Sequence, residues 1–403
     1  MNKHEEISQF SKAVLPAPEI DWTKLNDYRM GRIREAMAER DVELAVITNP
    51  LTMRYAVNYH EYMQFQARIP LMMLMVFADG PVVFSGAFIK DLDHVTEYIP
   101  MFGLAPFLAG FDQTENTRKF VDFVKSRLQG KGRCRVALDR LDASAVQGLM
   151  QAGFEVVDAP GFLEKARSIK SAEEITLCRY AIDVAQLGIS RMHEAFQPGI
   201  SENELWSILS QVNIAHGGLW SEARMLASGE RTNPWLQEAG ERRVQKGELL
   251  GFDTDMVGPF GYMSDISRTW YCGAGKAPDA FRDLYKRALD EIEHNKANVR
   301  PGVTFKELVD NSFRHPEEFV AHRYPCIMHG VGMCDEYPYV PYPQDWDDIG
   351  YDGIIEENMM ICVEGYVGSD RGGSGVKIEH QFLVTADGLE QLDSYPYDEN
   401  LMR

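Results

Sequence analysis

Acids placed where strands should be apolar are the first chemistry this chain offers. The segment GFDTDMVGPFGYMSDISRTW (251–270) reads as a β-hairpin. Phe252–Val257 and Tyr262–Trp270 are strand-like, and Gly258-Pro259-Phe260-Gly261 is the turn. Strand interiors are depleted of Asp, yet Asp253 and Asp255 recur here at period two, hence on one face, with Asp265 just across the turn. Three carboxylates converging on one spot repel each other unless a cation neutralises them. An exposed hairpin decorated with acids explains this segment equally well when it is taken alone.

Three further pieces join it. Met328-His329-Gly330-Val331-Gly332 supplies one imidazole, a residue that by itself is usually structural. ICVEGYV (361–367) and SGVKIEHQFLVT (374–385) each set one glutamate, Glu364 and Glu379, inside an apolar run. Such local inconsistency marks functional sites. The plainer account is a buried salt bridge to Lys377 or a nearby Arg. Taken together, five carboxylates and one imidazole form an oxygen-dominated donor set. That set suits two divalent ions per chain, Fe, Mn, Co or Zn, rather than a structural zinc. Paired ions ~3.5–4 Å apart, bridged by carboxylates, polarise oxygens or generate hydroxide.

The elements that must position these residues fall into two halves. Leu25–Arg40 reads as an amphipathic helix, with Met30, Ile33 and Met37 at helical spacing. VELAVIT (42–48), the runs at 71–77 and 81–84, Arg135–Leu138 and Phe154–Val157 read as strands, with a helix around Asn116–Leu128. Strands alternating with helices predict an α/β domain over residues 1–160, ended by the Asp158-Ala-Pro-Gly161 turn. Residues 161–403 read as an α+β domain. Two helices, Ser171–Phe196 and Ser201–Ala215, open with capping-box spacing to Glu174 and Glu204. Beyond Leu249 the pattern is strands and turns with one helix, Asp279–Val299.

Composition narrows the partners. A formal charge of −20 argues against nucleic acid and anionic membranes, which need Lys and Arg clusters. The first 22 residues lack the apolar core of a secretion signal. No stretch approaches the ~18 apolar residues of a membrane span. The six cysteines show no CxxC spacing and read as reduced thiols of a cytoplasmic protein.

The order Asp, Asp, His, Glu, Glu on strands of a C-terminal half resembles the creatinase/prolidase/methionine aminopeptidase family, whose fold is called pita-bread. GYMSDISRTW, IKSAEEI and RMGRIREAMAERDVELAVITNPLTMRYAV carry the likeness, which covers essentially the whole chain. It implies a homodimeric dinuclear metalloenzyme with a creatinase-like N-terminal domain and a pita-bread catalytic domain. Two departures stand out. Peptidases of the family carry further histidines where this chain reads LASGERTNPWLQEAG and HGVGMCDEYPYV, and Asp255 and Asp265 are ten apart, one fewer than usual.

LASGERTNPW, FDTDMVG, SDISRTW and MHGVGMCDEYP are similar to the dimethylsulfoniopropionate-lyase branch of the family. That likeness implies iron held by Asp253, Asp255, Asp265, His329, Glu364 and Glu379, with Asp335 as catalytic base and Tyr324 in support. The plain account of Asp335 is a turn acid before Pro338, with Glu336 a solvated neighbour. In VNYHEYMQFQARIP (57–70) the substrate-contacting Trp of that branch has no counterpart; Tyr62 and Phe65 are the nearest aromatics. A small zwitterionic substrate would set its sulfonium against aromatic faces. Trp220, Trp235, Tyr337 and Tyr366 are the candidates, with core packing expected to account for at least half of them. A hydrolase of a small amide, an amidine or an Xaa-Pro dipeptide is the second reading. A metal-free binding protein is the third.

Overall fold

The computed structural model describes residues 14–87, 89–129 and 134–402; the first part of the leader segment read above, residues 1–13, lies outside them. Two compact units emerge, Ile20–Arg167 and Ser168–Arg403, the latter joined by the residues up to Glu19. Of the expected Asp158–Gly161 turn, Asp158 ends a strand and Pro160 and Gly161 already belong to a helix, Pro160–Ser168, at whose end the units divide.

In the first unit, helix α1 (Trp22–Ala38) is capped by Asp21 and buries Leu25, Met30, Ile33 and Met37, as its spacing predicts. The sheet contains β1 (Val42–Ile47), β2 (Met73–Phe77), β3 (Val82–Ser85), β4 (Glu97–Ile99), β5 (Arg135–Leu138) and β6 (Glu155–Asp158), in the order β4-β3-β2-β1-β5-β6. Strand β1 runs antiparallel to β2 and parallel to β5, so the sheet is mixed. Helices α2 (Pro50–Val57), α3 (Met63–Arg68) and α5 (Ala143–Gln151) accompany the anticipated α4 (Thr114–Arg127). The sequence did not announce α2. Asn49-Pro50 punctuates the end of β1 and also starts a helix, because the Asn49 side chain accepts Leu51 N–H at 2.9 Å and Pro50 tolerates the first turn.

In the second unit, α6 (Ala172–Ala195) and α7 (Glu202–Ala215) both open with complete capping boxes, Ser171 with Glu174 and Ser201 with Glu204. Strands β7 (Leu226–Ser228), β8 (Leu249–Asp253) and β11 (Ser267–Tyr271) form one small sheet, and β9 (Met256–Val257) and β10 (Met263–Ser264) a ribbon. Helix α8 (Asp279–Lys296) is followed by the short α9 (Phe305–Asp310), so helical structure here exceeds the one helix expected. The largest sheet of the unit has the order β13-β12-β14-β15-β16, with β12 (Cys326–Val331), β13 (Asp335–Pro341), β14 (Met360–Val367), β15 (Val376–Thr385) and β16 (Gly388–Gln391). Strand β14 is buried at every position, and helix α8 packs so closely on it that a side chain at Gly365 would meet Ala288 O at 2.8 Å. Both faces being covered, the strand reads as an apolar run interrupted at Glu364. Among the described residues no helix is long and apolar enough to cross a membrane.

Candidate metal centre

The hairpin delivers its acids through a break in its own ladder. Strands β8 and β11 pair up to Asp253 opposite Ser267, and β9 pairs with β10 from Met256 opposite Ser264. Between them the Thr254 hydroxyl donates to Ser264 O at 2.8 Å and accepts Ile266 N–H at 3.0 Å, standing in for the missing rungs. Asp255 turns into the left-handed region at φ 39°, so it does not simply follow Asp253 down a flat strand face as period two predicts. The outcome is convergence: Asp253, Asp255 and Asp265 bring carboxylate oxygens within 4.8 Å of one another.

The large sheet supplies the rest. Glu364 on β14 and Glu379 on β15 are direct cross-strand partners, both with no exposed surface. Like charges directly opposite destabilise a sheet, which makes a cation between them the physical requirement. His329 on β12 sits opposite Cys362 of β14. Its Nε2 lies 3.0 Å from Glu364 Oε1 and 3.6 Å from both Asp265 Oδ2 and Glu379 Oε1. Its Nδ1 is 3.0 Å from Gly330 O, which leaves Nε2 facing the acids. Asp265, His329, Cys362 and Glu379 form a second cluster that shares Asp265 with the first. Burial and the neighbouring acids hold the Cys362 thiol well above its usual range.

Among the described residues, Lys377 supplies the ammonium at the centre. Its Nζ lies 2.8 Å from Asp253 Oδ2, 2.6 Å from Glu364 Oε2, 2.8 Å from Glu379 Oε2 and 2.7 Å from Ser267 Oγ. The salt-bridge account of the lone glutamates is therefore partly right, but one ammonium and one imidazole face five carboxylates. The electrostatics register the deficit. Burial and the surrounding acids push Asp255 and Asp265 well above the usual carboxylate range. Asp253 is raised by burial and Glu379, and Glu364, by the same two causes, reaches about 7. Glu379 goes the other way: burial opposes its charge, and Lys377 and His329 outweigh that. Asp253 Oδ1, Asp265 Oδ1 and Glu379 Oε1 are buried with no hydrogen-bond partner. Orphaned carboxylate oxygens aimed into a buried acid cluster are what divalent cations satisfy, so the donor set fits them.

The other sequence-selected residues are placed as follows. Asp335 is half exposed, with Oδ1 3.6 Å from His329 Nδ1. Glu336 is not the solvated neighbour anticipated: its side chain is wholly buried and paired with Lys170 at 2.8 Å. Strand alternation sends adjacent residues to opposite faces, and the inward one is Glu336. The Tyr324 ring centroid lies 4.4 Å from Lys377 Nζ, and burial together with Glu364 and Asp253 keeps its phenol protonated. Trp235 and Tyr366, ring centroids 6.0 Å apart, pack with Met225, and Tyr324 and Ala223 border them. Trp220 Nε1 donates to Glu222 Oε1 at 3.2 Å, and its carbonyl accepts Val257 N–H beside the hairpin. Tyr337 packs against Phe305 of the core and against the exposed Tyr351.

Sequence reasoning passed over four residues here. Lys377 was weighed only as a salt-bridge partner. Ser267 Oγ donates to Glu379 Oε2 at 2.8 Å, and Gln381 Oε1 accepts Asp265 N–H at 3.2 Å. Their period-two spacing from recognised acids, Asp265 to Ser267 and Glu379 to Gln381, was the available signal. His322 has Nδ1 2.7 Å from Asn233 Oδ1, which also accepts from the Tyr366 hydroxyl at 3.2 Å. Nothing in its local sequence marks it.

Comparison with known proteins places this geometry. The model of metallopeptidase family M24 matches residues 176–386. The chain is 35% identical to dimethylsulfoniopropionate lyase DddP of Roseovarius nubinhibens, over 98% of this chain and 91% of that protein. It is 32% identical to the protein of the same name from Roseobacter denitrificans, with the same coverage. Among solved structures, an Xaa-Pro dipeptidase from Bacillus anthracis superposes with a TM-score of 0.72 at 21% identity, covering 93% of this chain and 99% of that one. Matched by the family model over more than half its length, and carrying the prolidase-type pita-bread fold, this chain belongs to metallopeptidase family M24.

Proposed function

We propose that this enzyme is a carbon–sulfur lyase that cleaves dimethylsulfoniopropionate, or a closely similar onium carboxylate, to dimethyl sulfide and acrylate. The observation that carries the reading is Asp335, a half-exposed carboxylate beside His329 at the rim of an otherwise buried acid cluster. A base there is open to substrate, whereas Asp253, Asp265, Glu364 and Glu379 are buried. The likeness to two full-length lyases supports it.

Asp253, Asp255, Asp265, His329, Glu364 and Glu379 would hold two divalent ions, iron first, with Mn, Co or Zn as alternatives. Bound there, the ions supply positive charge for the substrate carboxylate and for the enolate-like charge that develops on it. Asp335 takes the proton α to the carboxylate. The electron pair of that C–H bond becomes the new carbon–carbon double bond as the Cβ–S bond breaks, and dimethyl sulfide leaves with the sulfur's pair. Tyr324, kept protonated, offers a hydroxyl donor on the Lys377 side of the centre. Trp235 and Tyr366 are proposed as the aromatic wall for the sulfonium, with Trp220 beside the hairpin; Tyr337 is the weakest of the four candidates. The working unit is proposed to be a cytoplasmic homodimer, and light scattering on the purified protein reads its mass.

Incubation of the iron-loaded enzyme with dimethylsulfoniopropionate and headspace detection of dimethyl sulfide tests the reading. Release at the no-enzyme rate, from protein with full metal content, would refute it. His322 is the observation that favours a second reading, a hydrolase of a small amide or Xaa-Pro dipeptide. It places an imidazole beside Asn233, within the stretch where the peptidases of the family carry a histidine. Robust turnover of a proline dipeptide would reverse the order.

A further inference from the structure

The metal centre does not account for a wholly buried ion pair next to the proposed base. Lys170 and Glu336 meet at 2.8 Å with side chains 1% and 0% exposed. A buried ion pair is a poor way to gain stability, since desolvation of both charges offsets most of their attraction. What such a pair does well is fix geometry, and its position shows which geometry.

Strands β12 and β13 are joined by a tight turn in which Gly332 N–H donates to Cys334 O at 3.1 Å. Val331 pairs with Asp335 and Gly330 with Glu336. The Glu336 carboxylate lies against Gly332. A β-carbon on Gly332 would come within 2.1 Å of Glu336 Oε1 and 2.9 Å of Lys170 Nζ. The turn is held from the other side by Met263 N–H, which donates to Gly332 O at 2.7 Å and so ties it to the Asp265 hairpin. Lys170 is itself anchored: its N–H donates to Asn358 O at 2.9 Å, and the next residue is the Ser171 cap of α6. A rigid path thus runs from the start of α6 through Lys170 to Glu336.

We propose that the Lys170–Glu336 pair is the positioning device that aims Asp335 at the reaction site. Adjacent strand residues point to opposite faces. Clamping Glu336 inward therefore holds the Asp335 side chain outward, over His329 and at the mouth of the centre. The inference rests on Asp335 being the base. Lys170 and Glu336 are positioning residues: both side chains are buried and act through Asp335.

The test is a double-mutant cycle on the metal-loaded full-length enzyme, reading dimethyl sulfide release from dimethylsulfoniopropionate, metal content and melting temperature. A base displaced by about 1 Å loses on the order of 100-fold in rate. Glu336→Gln and Lys170→Met are expected to lower kcat by roughly 10–100-fold, to change KM by less than about threefold and to leave metal content intact. In an Asp335→Asn background, either substitution is expected to change kcat by less than about twofold while its effect on melting persists, since a device that acts through Asp335 has nothing left to aim. If the kcat losses multiply instead, or if the single variants keep normal kcat while Asp335→Asn loses it, the positioning role is overturned and the base reading stands. If Asp335→Asn itself keeps normal kcat, the base reading falls and the inference with it. Should either single variant fail to fold, Lys170→Arg, which keeps the charge but changes its reach, carries the same cycle.

Discussion

Lys377 gives the sharpest quantitative handle on the centre. Its ammonium touches Asp253, Glu364 and Glu379 at 2.6–2.8 Å with no solvent exposure, so Lys377→Met removes the one lysine cation that the described residues place in a buried acid cluster. Breaking a buried pair by deleting one partner costs roughly 3–5 kcal/mol. At roughly 2–4 °C per kcal/mol for a unit of about this size, the metal-free protein would melt roughly 6–20 °C lower. One effect limits the loss. Glu364, already raised to about 7 by burial and Glu379, can take up a proton at neutral pH at little cost and so relieve part of the new repulsion. The expected shift therefore lies in the lower half, at roughly 6–12 °C. Two divalent ions would supply far more positive charge than the ammonium removed. With Mn or Fe present the variant should lose less than half as much, and it should bind metal at least as tightly as the parent. Scanning calorimetry with chelator and with saturating metal reads both quantities. An equal loss in the two states would refute the reasoning, since Lys377 would then be a scaffold member rather than a partial stand-in for metal charge.

Purified without chelator, the protein should carry about two divalent ions per chain by elemental analysis, the count expected for a paired site. Full activity at less than a tenth of an ion per chain would sink the dinuclear reading. Asp265→Ala and Glu379→Ala should each remove metal and activity together; an Asp265 variant that retains both ions would exclude it from the shared position between the two acid clusters. Gly330→Ala should destabilise by more than about 1–3 kcal/mol, because its β-carbon would stand 2.2 Å from the backbone oxygen of Tyr337, which cannot swing aside; urea melts that overlay the parent would contradict this. Asp335→Asn should keep fold, metal and most substrate binding while kcat falls by ~10²–10⁴, as for loss of a positioned base, with loss of metal identifying it as a ligand instead.

What could be read from the sequence, and what could not, follows from where the information is local. Glu364 stood out because an isolated charge in a strand buried on both faces breaks an otherwise apolar run, and Glu379 because it interrupts Val376, Ile378 and Phe382–Val384; the two are direct cross-strand partners. Both capping boxes were legible because the motif lies within four residues. Helix α2 was not, since Asn49-Pro50 serves equally to stop a strand and to start a helix. The hairpin showed its three acids but not the Thr254 bridge that breaks its ladder, because a side-chain rung is chosen only once the strands are paired. Asp335 and Glu336 mark the limit most clearly. Two adjacent acids in a polar turn look alike in sequence, and alternation says only that they face opposite ways. Which one turns inward is decided by Lys170, 166 residues away in the chain, and by the absence of a β-carbon at Gly332. The glycines after His329 therefore carry meaning beyond flexibility. Gly330 makes room for the backbone of β13 and Gly332 for the carboxylate of Glu336, so HGVG records how closely the strand bearing Asp335 must approach the strand bearing His329.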